Sequence, residues 1–123
     1  MKNLLFALVL MNVFNANLSD ITRAISSGDA DALGQYFDQT VEVSILEEEG
    51  VYDKAKAVSV VKQFFAKNAP KSFSQVHQGT SKGADSQYCI GNMTTNGTTY
   101  RVYIYMKVSG GKHLIQELRF DEE

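Results

Sequence analysis

From Thr98 to Phe120 the chain alternates between apolar and polar positions. Tyr100, Val102, Ile104, Met106 and Val108 share one phase, and Arg101, Tyr103, Tyr105 and Lys107 share the other. A period of two puts successive side chains on opposite faces of a sheet. Ser109-Gly110-Gly111 reverses the chain, and the alternation resumes at Leu114, Gln116, Leu118 and Phe120. The stretch predicts a long amphipathic hairpin with one face to be covered. Phe73 to Thr80 and Gln87 to Thr95 predict two further strands, with Ser81 to Ala84 turning between them. Thr95-Asn96-Gly97-Thr98 is the sharpest local signal, because Asn-Gly suits a type I′ hairpin turn. That turn sets Thr95 opposite Thr98. Met93 then faces Tyr100, Gly91 faces Val102, Cys89 faces Ile104, Ile90 faces Tyr103 and Tyr88 faces Tyr105. A three-residue loop at Ser109 to Gly111 sets Met106 against Leu114 and Tyr105 against Ile115.

Upstream, helical spacing alternates with one short strand. Ser19 can cap a helix that carries Ile21, Ala24 and Ile25 on one face. Gly28 can close it in a left-handed cap, and Asp29 can open a second helix burying Leu33 and Phe37. Val41 to Ile45 alternates as a first strand, and Glu47-Glu48-Glu49-Gly50 reads as a charged, solvated turn. Asp53 can cap the main helix, in which Ala57, Val58, Val60, Val61, Phe64 and Phe65 form a broad apolar stripe through Asn68. Pro70 keeps that helix from continuing. The helix is the natural cover for the apolar face of the hairpin.

The fold class is therefore α+β: three N-terminal helices packed on an antiparallel sheet, in the order α-α-β-α-β-β-β-β. A chain of 123 residues builds one domain, and 44% hydrophobic with 21% charged residues is ordinary globular composition. A net charge of -2 without a Lys/Arg cluster gives no field that favours nucleic acid. The single cysteine, Cys89, excludes an intrachain disulfide and a paired-cysteine metal site. It lies in a predicted strand, where a small buried hydrophobe is the favoured role.

Lys2 followed by the apolar run Leu4 to Met11 has the pattern of a secretory signal, too short to span a bilayer. Residues 1–16 are taken as that signal, with cleavage after Ala16, and 18–123 as the mature domain. The expectation is export to the periplasm or the extracellular space, with no integral membrane association once the signal is removed.

The element order and the Ser27-Gly28-Asp29 corner resemble the nuclear transport factor 2-like (cystatin-like) fold over roughly residues 18 to 120. Several stretches are also similar to a family of small exported bacterial proteins known only as a domain of unknown function. They are Glu49-Gly50-Val51-Tyr52, Phe64 to Asn68, Lys71-Ser72-Phe73, His77 to Ser81, Tyr100 to Tyr103 and Leu114 to Phe120. The resemblance implies the fold and export. It carries no catalytic residues with it, and the superfamily holds both enzymes and pure binding modules, so fold alone does not assign an activity.

No catalytic or ligand signature in the sequence is specific, and no cofactor or metal is expected. Weak candidates for a catalytic base are His77 and Asp38, with Tyr52 or Tyr100 as proton donor, for an isomerase- or dehydratase-like enzyme acting on a small hydrophobic molecule. His77 faces inward with Gln75 and Phe73 in one register. His113, after the Gly-Gly loop, is expected in solvent. A modest ligand pocket is expected among Val61, Phe65, Tyr100, Ile104 and Gln116, the amide of Gln116 needing a partner on an apolar face. On the other face Tyr88, Ile90, Tyr103, Tyr105 and Ile115 cluster, rimmed by Arg101, Lys107 and Glu117. Tyrosines within a charged rim are typical of an interface core. The favoured function is a binding domain that dimerises through this face.

Overall fold

The computed structural model describes residues 17–81, 83 and 85–123; the expected signal segment lies outside them. A first helix, α1, covers 17–27 of the described residues. Ser19 lies within it and does not cap it. Gly28, at φ 69°, turns the chain: its N–H donates to the Ile25 carbonyl at 3.1 Å, and the Asp29 N–H donates to Ala24 at 2.8 Å. Asp29 then caps α2 (Ala30–Gly34) by accepting from the Ala32 N–H at 3.0 Å. The helix stops there, and Phe37, expected on it, opens strand β1 (Phe37–Ile45). After β2 (Glu48–Asp53), Asp53 caps α3 (Lys54–Lys67), accepting from the Lys56 N–H at 2.8 Å. The remaining strands are β3 (Ser72–Thr80), β4 (Ser86–Thr94), β5 (Thr99–Ser109) and β6 (Lys112–Glu122).

The six strands form one sheet in the order β2-β1-β6-β5-β4-β3. The acidic segment expected as a turn is part of β2. Only Leu46 and Glu47 turn, and Ile45 pairs with Glu48. The element order thus gains one strand over the expected one. It is also not purely antiparallel, because β1 runs parallel to β6, with Val43 beside Leu118 and Ile45 beside Phe120.

The helices lie on one face. Ile21, Ile25 and Leu33 from α1 and α2, with Val61 and Phe65 from α3, share a core with Val102, Ile104, Met106, Leu118 and Phe120. Phe64 meets Tyr100 edge-on at 5.2 Å between ring centres and Phe120 at 4.8 Å. Rings in such tilted contact add to the burial itself.

The β4–β5 register is the expected one throughout: Met93 faces Tyr100, Cys89 faces Ile104, and Tyr88 faces Tyr105. The turn itself is not type I′. Only Gly97 takes a positive φ, 106°, and the Thr95 side chain adds a bond to the Thr98 carbonyl at 2.9 Å. The double-positive geometry of a type I′ turn falls instead at Gly110 and Gly111, at φ 57° and 78°. Those two residues alone close the last hairpin, with Ser109 opposite Lys112. Two glycines accept positive φ at no steric cost, so the loop is one residue shorter than expected.

That shortening slips the start of β6 by one. Met106 faces Ile115, not Leu114, and Val108 faces His113. A one-residue slip exchanges the two faces of a strand. A bulge then corrects the phase: Tyr105 pairs with Glu117, Gln116 is the extra residue, and Leu118 and Phe120 return inward. A second bulge lies in β3, between Gln75 and His77, and turns His77 to the opposite face from Gln75.

Candidate functional site

The two sheet faces carry different chemistry. Outward on β4 and β5 stand Tyr88, Ile90, Tyr103 and Tyr105, all half-buried. Tyr88 and Tyr103 stack at 6.4 Å with 24° between their planes. His77 joins them across the β3 edge, its Nε2 2.7 Å from the Tyr88 hydroxyl. Arg101 flanks the strip, donating to Asn92 at 3.0 Å and pairing with Glu123 at 2.6 Å. Lys107 flanks its other end on the same strand. Toward β1 and β2 the face becomes acidic. Glu117 is held above the usual carboxylate range, first by burial and then by Glu42 and Glu49, with Arg119 opposing. Burial first, and Glu117 second, likewise raise the Tyr103 hydroxyl.

Four of the five expected interface residues therefore share this face. Ile115 does not: the slip in β6 buries it completely against Met106 in the core. The expected pocket also changes. Val61, Phe65 and Ile104 are packed core residues, at 0%, 4% and 0% exposure. Tyr100 is buried beside them, and its hydroxyl donates to the Asn68 side chain at 2.9 Å. Gln116, as the bulge residue, leaves that group and donates to Asp38 at 3.1 Å. Its amide has the partner that a half-buried polar group needs, supplied by a carboxylate on the neighbouring strand.

The candidate catalytic groups are not brought together. Asp38 is lowered from its usual value, first by the Gln116 bond and then by the Gln39 N–H, which makes it a weaker base. His77 stands on the exposed outer face, not inward, because of the β3 bulge. Tyr52 is half-buried on β2. The Tyr100 hydroxyl is raised by burial first and by Glu122 second. No hydrogen bond among the described residues joins Asp38 or His77 to Tyr52 or Tyr100. Cys89 is buried, and desolvation pushes its thiol up to about 11, consistent with a packing role. No group of His, Cys, Asp and Glu among the described residues is placed to hold a metal ion.

Two of the concavities among the described residues bear on the chemistry. One, of about 280 Å³, sits between α1 and the inner sheet face, lined by Leu18, Thr22, Gln75, Gln78, Gln87 and His113. His113 is 1% exposed, not in solvent, and its Nε2 lies 2.7 Å from Gln87 Oε1. The same slip that buries Ile115 carries His113 inward, and the sequence signal for it was the Gly-Gly pair. The other is a larger groove between the last turns of α3 and the β1–β2 turn.

Helices on one face of a curved six-stranded sheet give this chain a nuclear transport factor 2-like fold. A nuclear transport factor 2-like protein of unknown function from Shewanella baltica superposes with a TM-score of 0.68 at 8% identity, covering 92% of this chain and 93% of that one. The chain belongs to the family described as a domain of unknown function, DUF4783, whose model matches residues 18–121. The crystal structure of a family member from Bacteroides ovatus is 27% identical with a TM-score of 0.78, over 85% of this chain and 93% of that one. One from Bacteroides uniformis is 25% identical with a TM-score of 0.79, over 85% and 95%. No curated protein matches the chain. No helix among the described residues is long and apolar enough to cross a membrane.

Proposed function

We propose that this chain is an exported binding domain that works as a homodimer joined through the outer sheet face. The observation that carries the reading is the stacked strip of Tyr88 and Tyr103 with Ile90 and Tyr105, on the face opposite the helices. Tyrosines of this kind supply large contact area at low entropic cost and cluster in interface cores. The charges around the strip suit a second copy of the same face. Glu42, Glu49 and Glu117 lie toward one side, and Arg101 and Lys107 lie on β5. A two-fold axis brings unlike ends of such a face together, which is the self-complementarity that an isologous interface requires. The Lys2 and Leu4–Met11 pattern supports export.

Native mass spectrometry of the chain produced with its N-terminal segment reads both parts. The expected result is a chain beginning at Asn17 at twice the monomer mass, and a monomer for Tyr103→Arg, which sets a cation in the aromatic strip. A wild type that is monomeric at tens of micromolar overturns the dimer, and an unprocessed chain overturns export.

A further inference from the structure

The larger groove is a separate concavity of about 820 Å³. Three pieces of chain meet there: the end of α3 (Val60, Gln63, Phe64, Lys67), the β1–β2 turn (Ile45 to Glu48) and the end of β6 (Asp121, Glu122). Its less exposed lining is apolar. Phe64 is buried, and Ile45 and Val60 are half-buried. Its exposed lining includes Glu47, Glu48 and Glu122, with Lys67 as its cation and Gln63 neutral; Asp121 also borders it, but alternates with Phe120 and pairs across the strands with Arg101. Between floor and rim lies Leu46, an apolar side chain left 44% exposed. The walls are tied together without a ligand. The Leu46 N–H donates to the Phe120 carbonyl at 2.8 Å, which joins the β1–β2 turn to the end of β6.

We propose that this groove binds a small amphipathic organic cation, an ammonium or amidinium head carrying an apolar tail. The volume lies within the range of small-molecule sites. A cleft lined by one sign of charge raises the local concentration of the opposite ion and repels its own. The carboxylates of Glu47, Glu48 and Glu122 therefore select a cationic head and reject a carboxylate or sulfate. The apolar floor gives the tail a surface that water does not stabilise, and Leu46 and Val60 gain burial when the tail covers them. A bare metal ion or a polyamine would use the rim but leave the floor wet, whereas a neutral lipid would use the floor but gain nothing from the rim. The groove shares no lining residue with the tyrosine strip, and its occupancy does not depend on dimerisation.

The test is a ¹H–¹⁵N NMR titration of the full domain with three ligands that share a decyl tail: decyltrimethylammonium, decyl sulfate and decyl maltoside, each below its micelle concentration. Decyltrimethylammonium should give saturable shifts centred on Leu46, Phe64 and Glu122, and should bind about tenfold tighter than decyl sulfate, since several exposed ion pairs each contribute a few-fold at most. Added salt should narrow that gap. The variant E47Q/E48Q/D121N/E122Q should bind the cation no better than the maltoside. Leu46→Gly should weaken all three. Leu46 has φ 57°, where glycine is unstrained, so this variant stays folded and reads the tail contact alone. Equal affinity for the three ligands, shifts scattered over the surface, or unchanged cation binding by the quadruple variant overturns the proposal.

Discussion

His113 stands where a charge is costly. Its ring is buried, and desolvation lowers its pKa from the ordinary 6.5. The folded state therefore binds a proton less readily than the unfolded chain. The His113 contribution to stability is full above about pH 6.5 and is lost as pH falls below it. Asp38 acts in the same sense but lower, because its folded value lies below the ordinary 3.8, whereas Glu117 is raised and acts in the opposite sense around its own ordinary value. Denaturant unfolding of the wild type should show stability declining as pH falls below about 6.5, and His113→Gln should flatten that slope. A slope unchanged by the substitution would show that another group titrates there. Single residues were also where sequence reading was weakest. Gln116, His77 and His113 each sit at or beyond a register shift, and each faces opposite to its expected side or environment. Alternation predicts a face only while the count of residues stays in phase, and neither bulge has a signature in residue type.

At the scale of the element, most of the fold was legible. Asp29 and Asp53 cap their helices as their residue type demands, Gly28 closes α1, and the two-residue turn at Asn96-Gly97 fixes nine successive β4–β5 pairs. What was not legible was the acidic strand β2. Glutamates have low strand propensity, and Glu48 and Glu49 pair because the Leu46–Glu47 turn folds them back on β1. The loop at Gly110-Gly111 was read one residue too long. Its geometry gives a clean prediction. A side chain on Gly110 meets nothing within 4 Å, so a substitution there perturbs only the backbone. Gly110→Val should destabilise the domain by about 1–2 kcal/mol, and Gly110→Asn by clearly less, because asparagine tolerates the left-handed region. Midpoints of denaturant unfolding compare the two, and equal losses would indicate that the turn is not held at positive φ.

For the whole molecule, the division of the sheet into an inner apolar face and an outer tyrosine face was legible from alternation alone. The location of the concavities was not. The stripe of Val61, Phe65 and Ile104 is apolar because it is core, and the same pattern would have served equally to line a pocket. The groove is assembled from three separate segments whose ends meet only in the fold. If the domain dimerises, folding and association are linked, and its melting temperature rises with protein concentration. Calorimetric or fluorescence melts over a hundredfold range of concentration should show that rise for the wild type and none for Tyr103→Arg. A wild-type melt independent of concentration would count against a dimer that forms in this range.

The parallel contact between β1 and β6 has a consequence for how the chain comes into being. The first strand to leave the ribosome has one edge occupied early, by β2. Its other edge waits for the last strand to be made. Until then Val43 and Ile45 lack their neighbours Leu118 and Phe120, and the middle of the sheet is open. Closure of this domain therefore waits until β6 has been made, and a chain that stops short of it leaves one edge of β1 exposed.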